Sequence, residues 1–212
     1  MKLFVDSADP AEIGACVAAE GTSGVTTTGA LLAAEARQAG REPGELLGAI
    51  CAAANGPVSV EVAADGADEM LRAARDWAAV AANVVVKLPA TDAGLEVVRA
   101  CAAERIRTGV ATCATPEQAL RAARAGAAYV SAPVGRAGGI DGNDAIRKLV
   151  ALFKTYGVTA EVVAGAIRMP TDLIDAALAG AHAAAAPAAV LRQLDAESTR
   201  QANSKTGAGE RR

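Results

Sequence analysis

One feature limits the fold more than any other: short β-like runs alternate with Ala-rich helical segments along nearly the whole chain. Strands are expected at 2–6, 24–27, 58–63, 83–88, 107–112, 128–131, 159–164 and 181–185. Helices are expected near 9–20, 30–54 (in two pieces parted around 40–43), 66–79, 92–104, 116–125, 142–156, 170–179 and 188–196. The helix starts carry capping chemistry: Thr91-Asp92, Thr115-Pro116-Glu117 and Pro170-Thr171-Asp172. Strands separated by helices pair in parallel, because a parallel neighbour needs a crossover. Consecutive apolar residues such as Val84-Val85-Val86 fit strands covered on both faces. Eight such units in 212 residues predict one domain, a (β/α)8 barrel over 1–196, followed by a polar tail at 197–212. The competing doubly wound sheet, in its nucleotide-binding form, carries a G-x-G-x-x-G after the first strand, and that motif is absent here.

Composition narrows the chemistry. Apolar residues make up 52% of the chain and aromatics 2%, so Ala, Val, Leu and Ile must fill the core. The net charge of −3 is spread over both signs, which argues against a nucleic-acid partner. Cys16, Cys51, Cys101 and Cys113 form no CxxC pair, and the first three lie in apolar helical stretches as small buried hydrophobes. No disulfide framework or zinc spacing is present, and the lone His182 does not make a metal site. The N-terminal residues show no signal-peptide pattern, and the most apolar run, 177–189, is shorter than the ~18 residues of a membrane span and contains Pro187. The expectation is a cytoplasmic protein with no metal, no cofactor and no membrane or nucleic-acid partner.

In this architecture the active site lies at the C-terminal ends of the strands. Three of them carry an ionisable residue in that zone: Asp6 on the first, Glu61 on the third and Lys87 on the fourth. Ser59 and Glu61, two apart, share a face. An amine removed from water loses hydration, and its free form attacks a carbonyl to give an imine. Protonated, that imine stabilises a carbanion on the neighbouring carbon, as making or breaking a C–C bond beside a ketone requires. Carboxylates nearby serve the proton transfers. On spacing alone, Lys87 could equally snorkel into solvent and Asp6 could cap the first helix.

At these residues the chain resembles the transaldolases, in particular the short bacterial branch that includes fructose-6-phosphate aldolase. The resemblance is carried in order by Phe4-Val5-Asp6-Ser7-Ala8, Gly24-Val25-Thr26-Thr27, Val86-Lys87-Leu88-Pro89-Ala90-Thr91 with Gly94-Leu95, the stretch from Gln118 to Ser131 with Gly135-Arg136, and Ala164-Gly165-Ala166-Ile167-Arg168. It implies an aldolase or transaldolase acting on a ketose or sugar phosphate. Lys87 would be the imine nucleophile, Asp6 the proton shuttle and Glu61 the holder of the catalytic water. Thr26, Thr28, Ser59 and Ser131 would line the substrate, and Arg136 and Arg168 would hold a phosphate.

The departures also inform. The family's Asn and Pro after the two threonines are Thr28 and Gly29; its N-V-T on the fifth strand is Gly109-Val110-Ala111; its aromatic residue is Pro133; and its strand-seven Ser is Ala166. Thr112, one residue further, should point away from the site. The pocket should be wider and less polar, which implies an altered substrate. Imine chemistry on a different carbonyl compound and a catalytically idle binding barrel are the alternatives. Oligomeric state stays open, a homo-oligomer included, since the segment many relatives use for it is truncated and polar.

Overall fold

The structure, a computed structural model, describes residues 1–137 and 140–194, with the side chains of residues 20, 136, 137 and 140 outside the description. The tail at 197–212, expected as a separate segment, lies outside the described residues.

The chain opens with β1 (Lys2–Asp6), α1 (Pro10–Glu20) and β2 (Gly24–Thr27). The long helical stretch that follows is two helices, α2 (Gly29–Ala39) and α3 (Pro43–Ala53), parted where Gly40 takes φ 62° and Pro43 opens the next helix. Next come β3 (Val58–Glu61), α4 (Ala67–Ala78), β4 (Val84–Pro89), α5 (Asp92–Ala103), β5 (Thr108–Ala111), α6 (Pro116–Ala125) and β6 (Tyr129–Pro133). A short antiparallel hairpin, β7 (Arg136–Ala137) with β8 (Ile140–Asp141), precedes α7 (Gly142–Tyr156). The chain continues through β9 (Glu161–Gly165), α8 (Pro170–Leu178) and β10 (Ala183–Pro187), and residues 188–194 are helical. The hairpin is absent from the sequence expectation, because two-residue strands fall below any periodic signal.

The other eight strands close into one parallel barrel in the order β1-β10-β9-β6-β5-β4-β3-β2. Alternation then divides the apolar residues into two cores. Val5, Val25, Val58, Val60, Val86, Leu88, Val110 and Val130 face outward and pack with Leu32, Leu95, Leu149 and Leu173 of the helices. A much smaller cluster of Phe4, Val163 and Ala183, with Tyr129 and Ala185 against it, plugs the lumen. All four cysteines are buried, Cys113 along with the three expected on helices. No helix among the described residues is long and apolar enough to cross a membrane.

Candidate active site

Strand register brings the expected site residues together. Asp6 is the register partner of Thr26, and Thr26 of Ser59. One step higher, Glu61 pairs with Lys87, and Lys87 with Gly109. With alternating side chains, Asp6, Thr26, Ser59, Glu61, Lys87 and Gly109 all belong to the inner wall at the C-terminal end of the barrel. Ser131 on β6 also lines the space below Lys87. That space is nearly filled, about 20 Å³ remaining above the Phe4–Tyr129 plug, which is room for one water molecule. A reactant at Lys87 therefore comes from the open rim.

The Lys87 side chain is 16% exposed, against 40% for Glu61, and Lys87 Nζ stands 3.6 Å from Glu61 Oε2. Asp6 sits deeper. Its Oδ1 accepts a hydrogen bond from Thr26 Oγ1 at 3.1 Å. Burial raises the Asp6 pKa above the ordinary value of 3.8, while the Thr26 hydroxyl and the positive charge of Lys87 pull in the opposite direction without overcoming it. One carboxylate is thus paired with the amine and half open to solvent, while another is half-buried, its pKa raised by that burial. An amine with these two acids can add to a carbonyl, lose water and pass protons between substrate hydroxyls.

The remaining expected residues are more dispersed. Thr28 is the N-cap of α2, its hydroxyl accepting from Leu31 N at 3.1 Å. Arg168 is exposed, and its side chain has no ion-pair partner among the described residues. It borders a pocket of about 260 Å³ that also contains Gly135, Ala166 and Asp172. There Asp172 Oδ2 accepts from Arg168 N at 2.8 Å and Met169 N at 3.1 Å, closing the start of α8. Arg136 lies on β7, and its side chain is outside the description.

Ala111 ends β5 beside Pro89 of β4, and Thr112 beyond it is exposed with φ 55°. Ala166 just past β9 has φ 58°. Both are non-glycine residues in the left-handed region, where a side chain costs energy, and both occur where a strand turns out at the rim. Sequence reading misses them because neither residue is the Gly or Asn that advertises such a turn.

It also misses a pocket of about 360 Å³ that meets Glu61 from the helix side, between α2, α3 and α4. Its lining comes from four separated stretches, so no motif could reveal it. The solitary tryptophan, Trp77, is the one signal available in sequence.

Residues 3–211 match the family model described as Transaldolase/Fructose-6-phosphate aldolase. A probable transaldolase of Sorangium cellulosum (strain So ce56) is 43% identical over 197 residues, covering 92% of this chain and 89% of that protein. A probable transaldolase of Rhodospirillum centenum (strain ATCC 51521 / SW) is 44% identical, covering 92% and 84%. Among solved structures, a thiamine phosphate pyrophosphorylase from Pyrococcus furiosus superposes with a TM-score of 0.60 at 20% identity, over 90% of this chain and 87% of that one. The last likeness speaks to the barrel alone.

Proposed function

The chain belongs to the transaldolase/fructose-6-phosphate aldolase family, and on that premise we propose that Lys87 forms an imine with a ketose or ketose phosphate at the barrel mouth. One observation carries this reading: the amine is largely withdrawn from solvent at the C-terminal rim, 3.6 Å from one carboxylate and close enough to a second to influence its proton affinity.

The free amine of Lys87 adds to the ketone carbonyl. The carbinolamine takes a proton on its hydroxyl and loses water, leaving an iminium. Asp6 accepts the proton of a substrate hydroxyl as the adjacent C–C bond breaks, an aldehyde departs, and the electron pair remains as an enamine on Lys87. The enamine either attacks an acceptor aldehyde or takes a proton, and water hydrolyses the resulting iminium. Glu61, beside Lys87 and half exposed, suits the role of holding that water. Thr26 orients Asp6 by its hydrogen bond, and Ser59 and Ser131 offer hydroxyls to the substrate from below. Arg168 and Arg136 are the candidate contacts for a phosphate end.

Small residues at Gly109 and Ala111 support a substrate bulkier or less hydroxylated beside β5, since they supply no side-chain hydrogen-bonding group there.

Borohydride reduction with dihydroxyacetone, fructose 6-phosphate or sedoheptulose 7-phosphate, followed by intact-mass measurement, tests the proposal. A covalent adduct on the native chain and none on Lys87→Ala is the expected result. An adduct without aldehyde release or exchange would point to other imine chemistry, and no adduct with any ketone would refute the imine.

A further inference from the structure

Among the described residues the Asp6 carboxylate accepts one hydrogen bond, from Thr26 Oγ1 at 3.1 Å. Where that carboxylate stands therefore depends on how firmly the end of β1 is held. Ser7, the next residue, is 7% exposed, and its N–H donates to Thr26 O at 3.1 Å. The Ser7 hydroxyl donates to Glu12 Oε2 at 2.9 Å and accepts from Asp9 N at 3.2 Å.

Glu12 is the third residue of α1, where a glutamate ordinarily reaches back to the backbone N–H of the N-cap. Here the N-cap is Asp9, whose carboxylate accepts from Ala11 N at 2.8 Å and whose N–H is taken by Ser7. The start of α1 is closed without Glu12, which binds the Ser7 hydroxyl instead in a charge-assisted bond. Its other oxygen, Oε1, lies 3.4 Å from Arg192 Nη2, on the helical segment 188–194 that follows β10. β10 pairs with β1 along the seam where the barrel closes, Asp6 opposite Pro187. Glu12 thus ties together the end of β1, the start of α1 and the last described segment.

We propose that Glu12 is a positioning residue for Asp6: by holding the Ser7 hydroxyl it fixes the end of β1, and so the depth and direction from which the Asp6 carboxylate meets the substrate proton. The hydroxyl contact carries the effect. The pair with Arg192 is exposed and adds little, as surface pairs do. The consequence for catalysis rests on the role given to Asp6 above. The consequence for Asp6 itself does not: a loosened strand end admits water to a carboxyl that burial now keeps above its ordinary value of 3.8.

Aspartate-selective ¹³C NMR of the whole chain, with Asp6→Asn assigning the signal, follows the Asp6 titration without any substrate. Glu12→Ala and Ser7→Ala should each move it down toward 3.8. Glu12→Gln, whose amide oxygen can still accept from Ser7, should leave it in place, and so should Arg192→Ala. Glu12→Ala and Glu12→Gln lose the same charge, so an equal shift in both reveals a Coulomb effect at a distance and overturns the positioning role. An unmoved titration in Glu12→Ala overturns it too. With fructose 6-phosphate as probe, Glu12→Ala should lower kcat about tenfold and leave KM and the trapping of dihydroxyacetone on Lys87 unchanged. In the Asp6→Asn background the same change should lower kcat no further, because the residue it acts through is gone. A loss that persists there belongs to general loosening and sinks the proposal. Failure to trap or cleave any ketone refutes the imine reading instead, and the titration then decides the role of Glu12 alone.

Discussion

Asp6 shows how a single position trades stability for reactivity. Its folded-state pKa is raised by burial, so the folded chain holds this proton more tightly than the unfolded chain. The stabilisation linked to that proton is present below the ordinary value of 3.8 and is lost as pH rises through the raised pKa. At neutral pH the ionised group is therefore a cost. Asp6→Asn, whose Oδ1 can still accept from Thr26, should raise Tm at neutral pH and give no gain at pH 3, as thermal melts across that range would show. The same change should lower kcat/KM by about 10²–10⁴ if Asp6 moves the substrate proton. Gly109 is a contrasting case. A Cβ there meets Tyr129 Cβ at 3.5 Å and Val85 Cγ1 at 3.8 Å, both ordinary contacts, and its φ is not left-handed. Gly109→Ala should fold with stability within about 1 kcal/mol of the native chain by urea titration. If its position beside Lys87 matters to substrate, kcat/KM changes while Tm does not.

Among the elements, the β4–α5 unit holds Lys87 in place most directly. Thr91 caps α5 by accepting from Gly94 N at 3.1 Å, and Gly94 lies so close to β4 that a Cβ on it would stand 2.1 Å from the Pro89 carbonyl oxygen. Backbone rather than a movable side chain is in the way. Gly94→Ala must therefore push the first turn of α5 away from the strand that ends beside Lys87, with a loss of about 1–3 kcal/mol. Thr91→Ala should cost about 1 kcal/mol, the usual value of an N-cap. Chemical denaturation separates the two variants. The Gly94 variant should also slow adduct formation on Lys87, whereas the Thr91 variant should do so less.

At the level of the whole molecule, the two cores have different duties. The outward-facing valines and the helices provide most of the buried apolar surface, and the lumen plug beneath the site is small. Phe4 is 3% exposed and meets Tyr129 edge-on, ring centroids 6.2 Å apart at 74°. Truncating it empties the floor under Lys87, leaving a cavity beside Val163, Ala183 and Tyr129. Phe4→Ala should cost about 3–5 kcal/mol, measured by denaturant unfolding.

The alternation of strand and helix, the split of 30–54 at Gly40–Pro43, the helix caps and the polar residues at strand ends are local properties of composition and spacing. They were legible without coordinates, and so was the inward sharing of a face by Ser59 and Glu61. The family likeness was legible as well, because it resides in short contiguous stretches. What only the tertiary structure decided is register and neighbourhood. The pairing of Glu61 with Lys87 depends on how β3 slides against β4, the depth of Asp6 on a barrel closed by β10, and the pocket at Trp77 on three helices meeting one rim. Those relations arise between residues far apart in sequence, where no periodicity reaches. Closing the barrel sets them all at once.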